Sequence, residues 1–231
     1  MNPNQLVFLD EAGSTIAMTR EYARAPGGER AHDYIPRCRG TVTTMLGAMT
    51  LEGMTALMTI EGGTCTDVFV TYVEKVLAPT LEPGDYLVLY NLGAHRSRRA
   101  LKAIRRAGAI PVFLPPYSPE LNPIELAWSM LKQLLRDAKA RTHEALDEAI
   151  AQALPPITTH DARAWFHNCG YAVEAMLSPL SIPKSTSTLV IRRWNANMRA
   201  ARQWRSWSIC TYSPCPVLYA VGRLWKMEVE N

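Results

Sequence analysis

The chain has 231 residues, of which 48% are hydrophobic and 20% charged, a composition typical of a soluble globular protein with one well-packed domain. No run approaches the roughly 18 apolar residues of a membrane-spanning helix, and the N-terminus lacks signal-peptide features, so no membrane association and a cytoplasmic location are expected. The net charge of +4 is uneven, because residues 181–231 hold 8 of the 25 Lys and Arg but only 2 of the 21 Asp and Glu. The net charge of the whole chain is therefore no evidence of nucleic-acid binding, which must be inferred from the charges of individual segments.

The first predicted strand is the apolar run Leu6–Leu9, and it is expected to end at Asp10. The simplest role for an aspartate at this place is to cap a turn through its own backbone. Residues 14–22 contain β-branched side chains and are predicted to form a second strand, which the Pro26-Gly27-Gly28 sequence would end.

A hairpin and a helix come next in the chain. Residues 41–60 are predicted to form two strands that turn at Leu51–Gly53, because threonine and valine favour strands over helix. Residues 67–81 carry apolar side chains at helical spacing, with Thr66 as the expected cap.

A strand-helix-strand unit is predicted over residues 86–114. Two short apolar runs flank a basic helix at 97–107, and this spacing favours parallel strands with a right-handed crossover. Ligands of such sheets gather at the carboxyl ends of strands. Three stretches are expected at that edge, and they are Asp10, Tyr90–His95 and Pro115–Glu125.

The helix of this unit and the residue before it form a basic cluster of six cations among eleven residues, namely Arg96, Arg98, Arg99, Lys102, Arg105 and Arg106. Two interpretations stay open: a solvated cationic helix face, or a surface that contacts the phosphates of a nucleic acid. The neighbouring His95 has three candidate roles, as a catalytic acid or base, a phosphate ligand or a turn residue.

A proline-rich turn leads into a helix that begins near Asn122-Pro123, with Asn122 as the expected N-cap and Pro123 at the first helical position. Glu125 falls in the first turn of this helix. It is either an acid that favours the positive helix N-terminus, worth roughly 0.3–1 kcal/mol, or a metal ligand that the rigid turn holds in place. Two further helices are predicted, over 142–154 with Thr142 as cap and over 159–169.

Four blocks of this sequence resemble the IS630/Tc1-mariner group of transposases in their DDE endonuclease domain. The blocks are FLDEAG at 8–13, YARAPGGER at 22–30, YNLGAHRS at 90–97 and LPPYSPELNPIE at 114–125. The resemblance runs in order from about residue 5 to Tyr171, and its YSPELNPIE segment is the most distinctive. It implies an α/β fold, an RNase H-like mixed sheet with helices on both faces, as a catalytic domain over 1–178. Residues 179–231 form a separate basic, Trp-rich tail.

The resemblance also implies two-metal phosphoryl chemistry with Mg²⁺ or Mn²⁺. Two such ions, about 3.5–4 Å apart, activate the nucleophile and stabilise the leaving oxygen, and carboxylates hold them. By resemblance the first metal ligand is Asp10 and the last is Glu125, both also catalytic. The basic turn and helix would bind nucleic acid through His95, Arg96, Arg98, Arg99 and Lys102.

The middle acid of the family pattern is missing, because Tyr90 stands directly before Asn91-Leu92-Gly93. A phenol with a pKa near 10 does not bridge two divalent ions as a carboxylate does. Asp85 lies at the other end of the strand, roughly 16 Å away at about 3.3 Å per residue, so it does not replace the missing ligand.

The partners implied by the resemblance are DNA, as transposon ends and as target, and a second copy of the chain in a homodimer. The group usually carries an N-terminal helix-turn-helix region, which would here belong to a separate polypeptide or domain. The tail holds four of six tryptophans and shows neither helical amphipathicity nor evident strand pairing. It is either a nucleic-acid arm with stacking aromatic residues or the product of out-of-frame or read-through translation.

Two functions follow from these observations. The first is a DDE transposase catalytic domain for DNA cleavage and strand transfer, impaired because Tyr90 replaces the middle acid. The second is a non-catalytic relic that acts as a DNA-binding or subunit-binding module. An unrelated RNase H-like nuclease is disfavoured by the YSPELNPIE segment.

Overall fold

The protein is built around one mixed β-sheet with helices on both faces. The computed structural model describes residues 2–173 and the backbone of 189–194 and 209–212. The strands are β1 (Leu6–Ser14), β2 (Thr43–Thr50), β3 (Gly53–Glu61), β4 (Tyr86–Leu89), β5 (Ile110–Phe113), β6 (Leu189–Trp194) and β7 (Ile209–Tyr212). The helices are α1 (Thr66–Tyr72), α2 (Arg98–Arg106), α3 (Ile124–Ala138), α4 (His143–Ala153) and α5 (Thr159–Asn168).

The strand order is β5-β4-β1-β2-β3-β6-β7. β1 pairs in parallel with β4 and antiparallel with β2, so it lies at the centre of the strands that precede α3. β4 and β5 are also parallel, and α2 connects them as predicted. The hairpin of β2 and β3 turns at Leu51–Glu52, close to the predicted position.

Two apolar layers cover the two faces of the sheet. Because successive strand residues point to opposite faces, neighbours such as Val7 and Phe8 are buried in different layers. One layer packs against α3, α4 and α5, and the other against α1 and α2. Strands that are buried on both sides have nearly continuous apolar sequences, which explains why the apolar runs predicted them well.

β1 does not end at Asp10, as the sequence predicted, but continues to Ser14. Its parallel partner β4 ends at Leu89, opposite Leu9, whereas its antiparallel partner β2 continues the ladder as far as the Ser14–Thr43 pair. Asp10 is therefore a residue in mid-strand rather than a turn cap.

The predicted second strand over 14–22 is also wrong, because residues 15–42 contain no helix or strand. The Arg141 guanidinium donates hydrogen bonds to the carbonyl oxygens of Ile16 and Met18, at 2.9 Å each, and to Thr19 Oγ1. These groups are thus paired with a side chain instead of a neighbouring strand.

Two of the helix starts differ from the predictions in detail. α1 begins after Cys65 instead of Thr66, and its helix continues as a π-helical turn over Val73–Leu77 and a 3₁₀ turn over Ala78–Thr80. α3 begins one residue later than expected, so Pro123 rather than Asn122 precedes it as the cap. The cap of α4 is confirmed, since Thr142 accepts a hydrogen bond from the Ala145 amide.

Part of the predicted tail at 179–231 joins the sheet, although its sequence showed no evident strand pairing. β6 runs parallel to β3 and β7 pairs antiparallel with β6. The remaining residues of 179–231, with three of the tail's four tryptophans, lie outside the described part of the chain. The division at residue 178 stays a prediction.

Candidate active site

The three predicted catalytic positions meet at one place on the sheet. Leu9 pairs with Leu89 in parallel register, so Asp10 and Tyr90 follow side by side on neighbouring strands. The first turn of α3 brings Glu125 over this point, where it faces the same side of the sheet.

Asp10 is almost completely buried, with 6% of its surface exposed, and Trp128 Nε1 donates a hydrogen bond to its Oδ2 at 3.1 Å. Burial raises the pKa of Asp10 to about 7, and the nearby charges of Glu125 and Glu11 act in the same direction. Hydrogen bonds from the Glu11 backbone and from Trp128 only partly oppose this rise. At neutral pH a large fraction of Asp10 is therefore protonated.

The Tyr90 hydroxyl donates a hydrogen bond to Glu125 Oε1, at 2.9 Å. Partial burial is the main reason that the pKa of Tyr90 lies well above its ordinary value, and the charges of Glu125 and Asp10 add to the effect. The phenol is therefore a neutral donor that occupies one carboxylate oxygen of Glu125.

Asn122 forms part of the same site, a role that the sequence did not reveal. Its side chain is 1% exposed and lies close enough to the Tyr90 hydroxyl to lower the pKa of Tyr90. Neither its Oδ1 nor its Nδ2 makes a hydrogen bond of regular geometry within the described residues. A buried amide without such bonds lowers the stability of the fold, so its presence here is better explained by a role in the site than by folding.

His95 is fully buried, so its side chain is not available to a phosphate in this structure, contrary to its predicted nucleic-acid contact. Its Nδ1 lies 2.7 Å from the carbonyl oxygen of Tyr90, and because a carbonyl only accepts, Nδ1 carries a proton. Its Nε2 lies 3.4 Å from Glu11 Oε1, and its ring stacks on Phe69 with centroids 4.5 Å apart. Of the three roles considered, these contacts match a residue that fixes the turn after β4.

The predicted cationic residues of α2 and the preceding turn are exposed, but they differ in their partners. Arg99 makes two hydrogen bonds of 2.9 Å to the Glu74 carboxylate, and Arg96 Nε donates to Asn91 Oδ1 at 2.5 Å. Within the described residues, Arg98 and Lys102 have no ion-pair partner. Among the five predicted nucleic-acid-binding residues, these two cations are therefore the most available for a phosphate.

The residues present do not fit a centre for two divalent ions. In the described part of the chain, no group of three or more His, Cys, Asp or Glu side chains converges in a way that suits a metal ion. Asp10 and Glu125 are two carboxylates, and the phenol between them adds no charge and uses one Glu125 oxygen. Glu11, the next acid along β1, points to the opposite face and contacts His95.

Trp128 and Glu11 are further site residues that sequence reasoning missed. Trp128 stands three residues after Glu125, so both fall on one face of α3, and a tryptophan at that spacing has an N–H that needs a partner when buried. Glu11 had no comparable signal, because only the fold brings it to His95.

Architecture and site together define the class of protein. A sheet of order β5-β4-β1-β2-β3, with one carboxylate on the central strand and another on the helix after β5, is an RNase H-like domain. The sequence family described as DDE superfamily endonuclease matches residues 5–147. The chain belongs to this family.

Solved structures of the Mos1 transposase have a similar fold. The Mos1 paired-end complex with the left transposon end is 12% identical, with a TM-score of 0.57 over 72% of this chain and 52% of that one. The Mos1 strand transfer complex is 13% identical, with a TM-score of 0.54 over 73% and 51%. The Mos1 mariner paired-end complex with Mn is 13% identical, with a TM-score of 0.52 over 72% and 52%.

The chain thus spans about half the length of these Mos1 chains, and at this level of identity the likeness concerns the fold. No protein with a curated description matches the chain. Among the residues that the structure describes, no helix combines the length and the apolar character needed to cross a membrane.

Proposed function

We propose that this chain is the catalytic domain of a DDE transposase in which Tyr90 closes the DNA-cleaving centre, meaning that it prevents the centre from binding two divalent metal ions. Family membership and the Mos1-like fold support the class of activity. The observation that carries the effect of Tyr90 is its neutral phenol, which stands beside Asp10 and Glu125 where a third carboxylate would be and is hydrogen-bonded to Glu125 Oε1. The substrates would be DNA strands at the ends of a mobile element and in its target.

The physical basis of the closure is the charge at the site. In an open centre of this class, carboxylates hold Mg²⁺ or Mn²⁺, which supply the Lewis-acid chemistry of strand cleavage. Here a neutral phenol stands where the class has a third carboxylate, and it donates a hydrogen bond to Glu125 Oε1. The site therefore offers less negative charge than two divalent ions require.

The proposed DNA contacts, the recognition of transposon ends and the pairing of two ends are those expected of a transposase. DNA would approach the exposed cations of α2, where Arg98 and Lys102 have no ion-pair partner among the described residues. Recognition of transposon ends would come from a separate helix-turn-helix region, and a second copy of the chain would pair two ends.

The deciding experiment compares the unaltered chain with Tyr90→Asp in Mn²⁺ binding, by electron paramagnetic resonance, and in nicking of supercoiled plasmid DNA. We expect Tyr90→Asp to bind Mn²⁺ roughly tenfold more tightly or better, since a third carboxylate replaces a neutral donor. Tyr90→Phe is the matched control: it removes the hydroxyl without adding charge and should gain neither property.

Two results would contradict the proposal. Metal-dependent nicking by the unaltered chain that is lost in Asp10→Asn would show that the centre is open despite Tyr90. A folded Tyr90→Asp variant that binds Mn²⁺ no better than Tyr90→Phe would show that Tyr90 is not what closes it.

The second candidate function is a DNA-binding or subunit-binding module without catalysis. Arg98 and Lys102 favour it, because they are exposed, have no ion-pair partner in the described part of the chain, and could bind DNA whatever the state of Tyr90. DNA binding by the chain, together with a Tyr90→Asp variant that binds Mn²⁺ but never nicks DNA, would select this function.

A further inference from the structure

The connection between β1 and β2 is a long surface segment that the functional site does not use. Residues 15–42 contain no helix or strand, and we call them the β1–β2 loop. Loops of this length in a compact domain are uncommon, and they are usually either functional or linker segments. The Pro26–Glu29 turn, closed by a 3.0 Å bond from the Glu29 amide to the Pro26 carbonyl, divides the loop into two arms.

The C-terminal part of α3 and the residues after it anchor both arms. Arg20 pairs with Asp137, Glu21 with Arg136 and Asp33 with Lys139, the last two at 2.8 and 2.5 Å. Together with the bonds of Arg141 to the start of the loop, these contacts hold each arm at a defined position. Each exposed ion pair is weak alone, but together the contacts hold residues 16–21 of the first arm and Asp33 of the second.

Each tyrosine of the loop directly follows one of these anchored acids. Tyr22 follows Glu21, and Tyr34 follows Asp33, which also accepts a 2.9 Å hydrogen bond from the Tyr34 amide. The side chains of Tyr22 and Tyr34 are nevertheless 89% and 92% exposed. The loop therefore presents two aromatic rings to solvent from a fixed backbone, which is unusual for a pair that packs against nothing.

A polar cleft of about 440 Å³ separates the arms. Its lining residues are Arg20–Ala23 from one arm, Ala31–Asp33 from the other, and Lys139. Tyr22 is one of the lining residues, and Tyr34 directly follows the lining residue Asp33 in the sequence. An occupant of the cleft can therefore contact Tyr22.

The charge of the loop favours an anionic partner. Its acids Glu21 and Asp33 are taken up by α3-side cations, which leaves Glu29 as the remaining acid between residues 15 and 42. Four exposed arginines have no ion-pair partner within the described residues, and they are Arg24, Arg30, Arg37 and Arg39. A surface of four free arginines against one acid complements a phosphate backbone.

We propose that the β1–β2 loop is a binding site for single-stranded DNA, in which Tyr22 and Tyr34 stack on unpaired bases while the four arginines contact phosphates. Aromatic rings alternating with cations are the usual means of holding single strands, since every unpaired base has a face to stack on. The choice of DNA rests on the proposed function, but the site does not depend on Tyr90 or on strand cleavage.

The test measures the affinity of the full chain for a fluorescein-labelled oligothymidylate by fluorescence anisotropy. We expect Tyr22→Ala and Tyr34→Ala each to weaken binding roughly tenfold, and Tyr22→Phe and Tyr34→Phe to retain it, because phenylalanine keeps the stacking face. Arg24→Gln and Arg30→Gln should weaken binding and lower its salt dependence. His160→Ala, which removes a ring from an exposed position on α5 outside the loop, is the control and should bind normally.

Three results would overturn the proposal. The first is unchanged oligonucleotide affinity in the Tyr22→Ala/Tyr34→Ala double variant. The second is an equal dependence on the tyrosines when the strand is annealed into a duplex, since paired bases hide their faces. The third is loss of self-association in sedimentation velocity with DNA affinity unchanged, which would assign the loop to a contact between copies. None of these readouts depends on nicking activity, so failure of the proposed function leaves them interpretable.

Discussion

At the scale of single residues, the main property of the site is the protonation state of its acidic side chains. Asp10 accepts a hydrogen bond from the Trp128 indole and has almost no contact with solvent, while Glu125 accepts a hydrogen bond from the Tyr90 hydroxyl. Burial favours the neutral form of Asp10, and the negative charge of Glu125 strengthens that preference. An acid that is stabilised in its protonated form makes the folded state sensitive to pH.

Asp10→Asn should stabilise the fold above neutral pH and remove part of its pH dependence. The pKa of Asp10 is about 7 in the folded state against 3.8 ordinarily, so the folded chain holds this proton more tightly. Stability from this group is therefore complete below about pH 4, declines as pH rises towards 7 and stays low above it. The loss amounts to up to about 4 kcal/mol, at 1.36 kcal/mol per pKa unit, and asparagine avoids it.

Urea unfolding of both proteins at pH 5 and pH 8 measures this effect as the difference between Asp10→Asn and the unaltered chain. Glu29→Gln, which also removes one acidic charge but at an exposed loop position, is the control and should show no such difference. Parallel pH profiles for Asp10→Asn and the unaltered chain would mean that Asp10 ionises in the fold as it does in the unfolded chain.

At the scale of elements, the packing of α3 on the sheet sets the geometry of the site. Asp10 on β1 pairs with Gly47 on β2, and Trp128 of α3 lies over this pair. A Cβ at Gly47 would come within 2.6 Å of Trp128 Cη2 and 2.8 Å of Met54 Cε. The absence of a side chain at Gly47 thus lets Trp128 approach closely enough to donate to Asp10.

Gly47→Ala should therefore destabilise the fold by roughly 1–3 kcal/mol, the usual cost of an extra methyl group in a packed core. Urea denaturation measures the loss, and near-UV circular dichroism reports the displacement of Trp128. The control is Gly63→Ala, where a Cβ would meet nothing within 4 Å and a change of less than about 0.5 kcal/mol is expected. Similar costs for both variants would indicate that Trp128 moves freely.

The elements that the sequence predicted well are those whose signal is local. The β2–β3 hairpin and the β4-α2-β5 unit follow from apolar runs and from turn residues within a few positions. The end of β1 was wrong because it depends on β2, which is about thirty residues further along the chain. The predicted strand over 14–22 failed for a similar reason, since Arg141 binds its carbonyl groups from far away in sequence.

The site was predictable in part. Its three central positions came from the resemblance of short sequence blocks, and the structure brings Asp10, Tyr90 and Glu125 together. The burial of His95 had no sequence signal, because Phe69 and Glu11 that enclose it come from other elements. The sequence predicted Asn122 as the cap of α3, but the helix begins one residue later, after Pro123. Asn122 is therefore free to be a buried residue of the site, and a shift of one residue is too small to read from the sequence.

At the scale of the whole molecule, the two faces of the sheet differ in the charged groups that they carry. The α1–α2 face carries the exposed cations Arg98 and Lys102, whereas α3 presents the site carboxylate and anchors the β1–β2 loop. The residues matched by the family, 5–147, include both surfaces. A long DNA molecule that contacts the α2 cations binds mainly through phosphates, so its affinity should depend on salt more than on sequence.

Arg98→Gln should weaken binding to a random-sequence DNA duplex and flatten its salt dependence. Each phosphate contact contributes roughly 0.9 to the slope of log affinity against log salt, so the loss of one cation should lower the slope by about that amount. Anisotropy titrations over a series of salt concentrations measure the slope, with Lys102→Gln expected to behave alike. Arg163→Gln on α5, on the opposite face of the sheet, is the matched change of charge. A slope that falls equally in Arg163→Gln would show that DNA responds to the net charge of the molecule, and that α2 is not its contact surface.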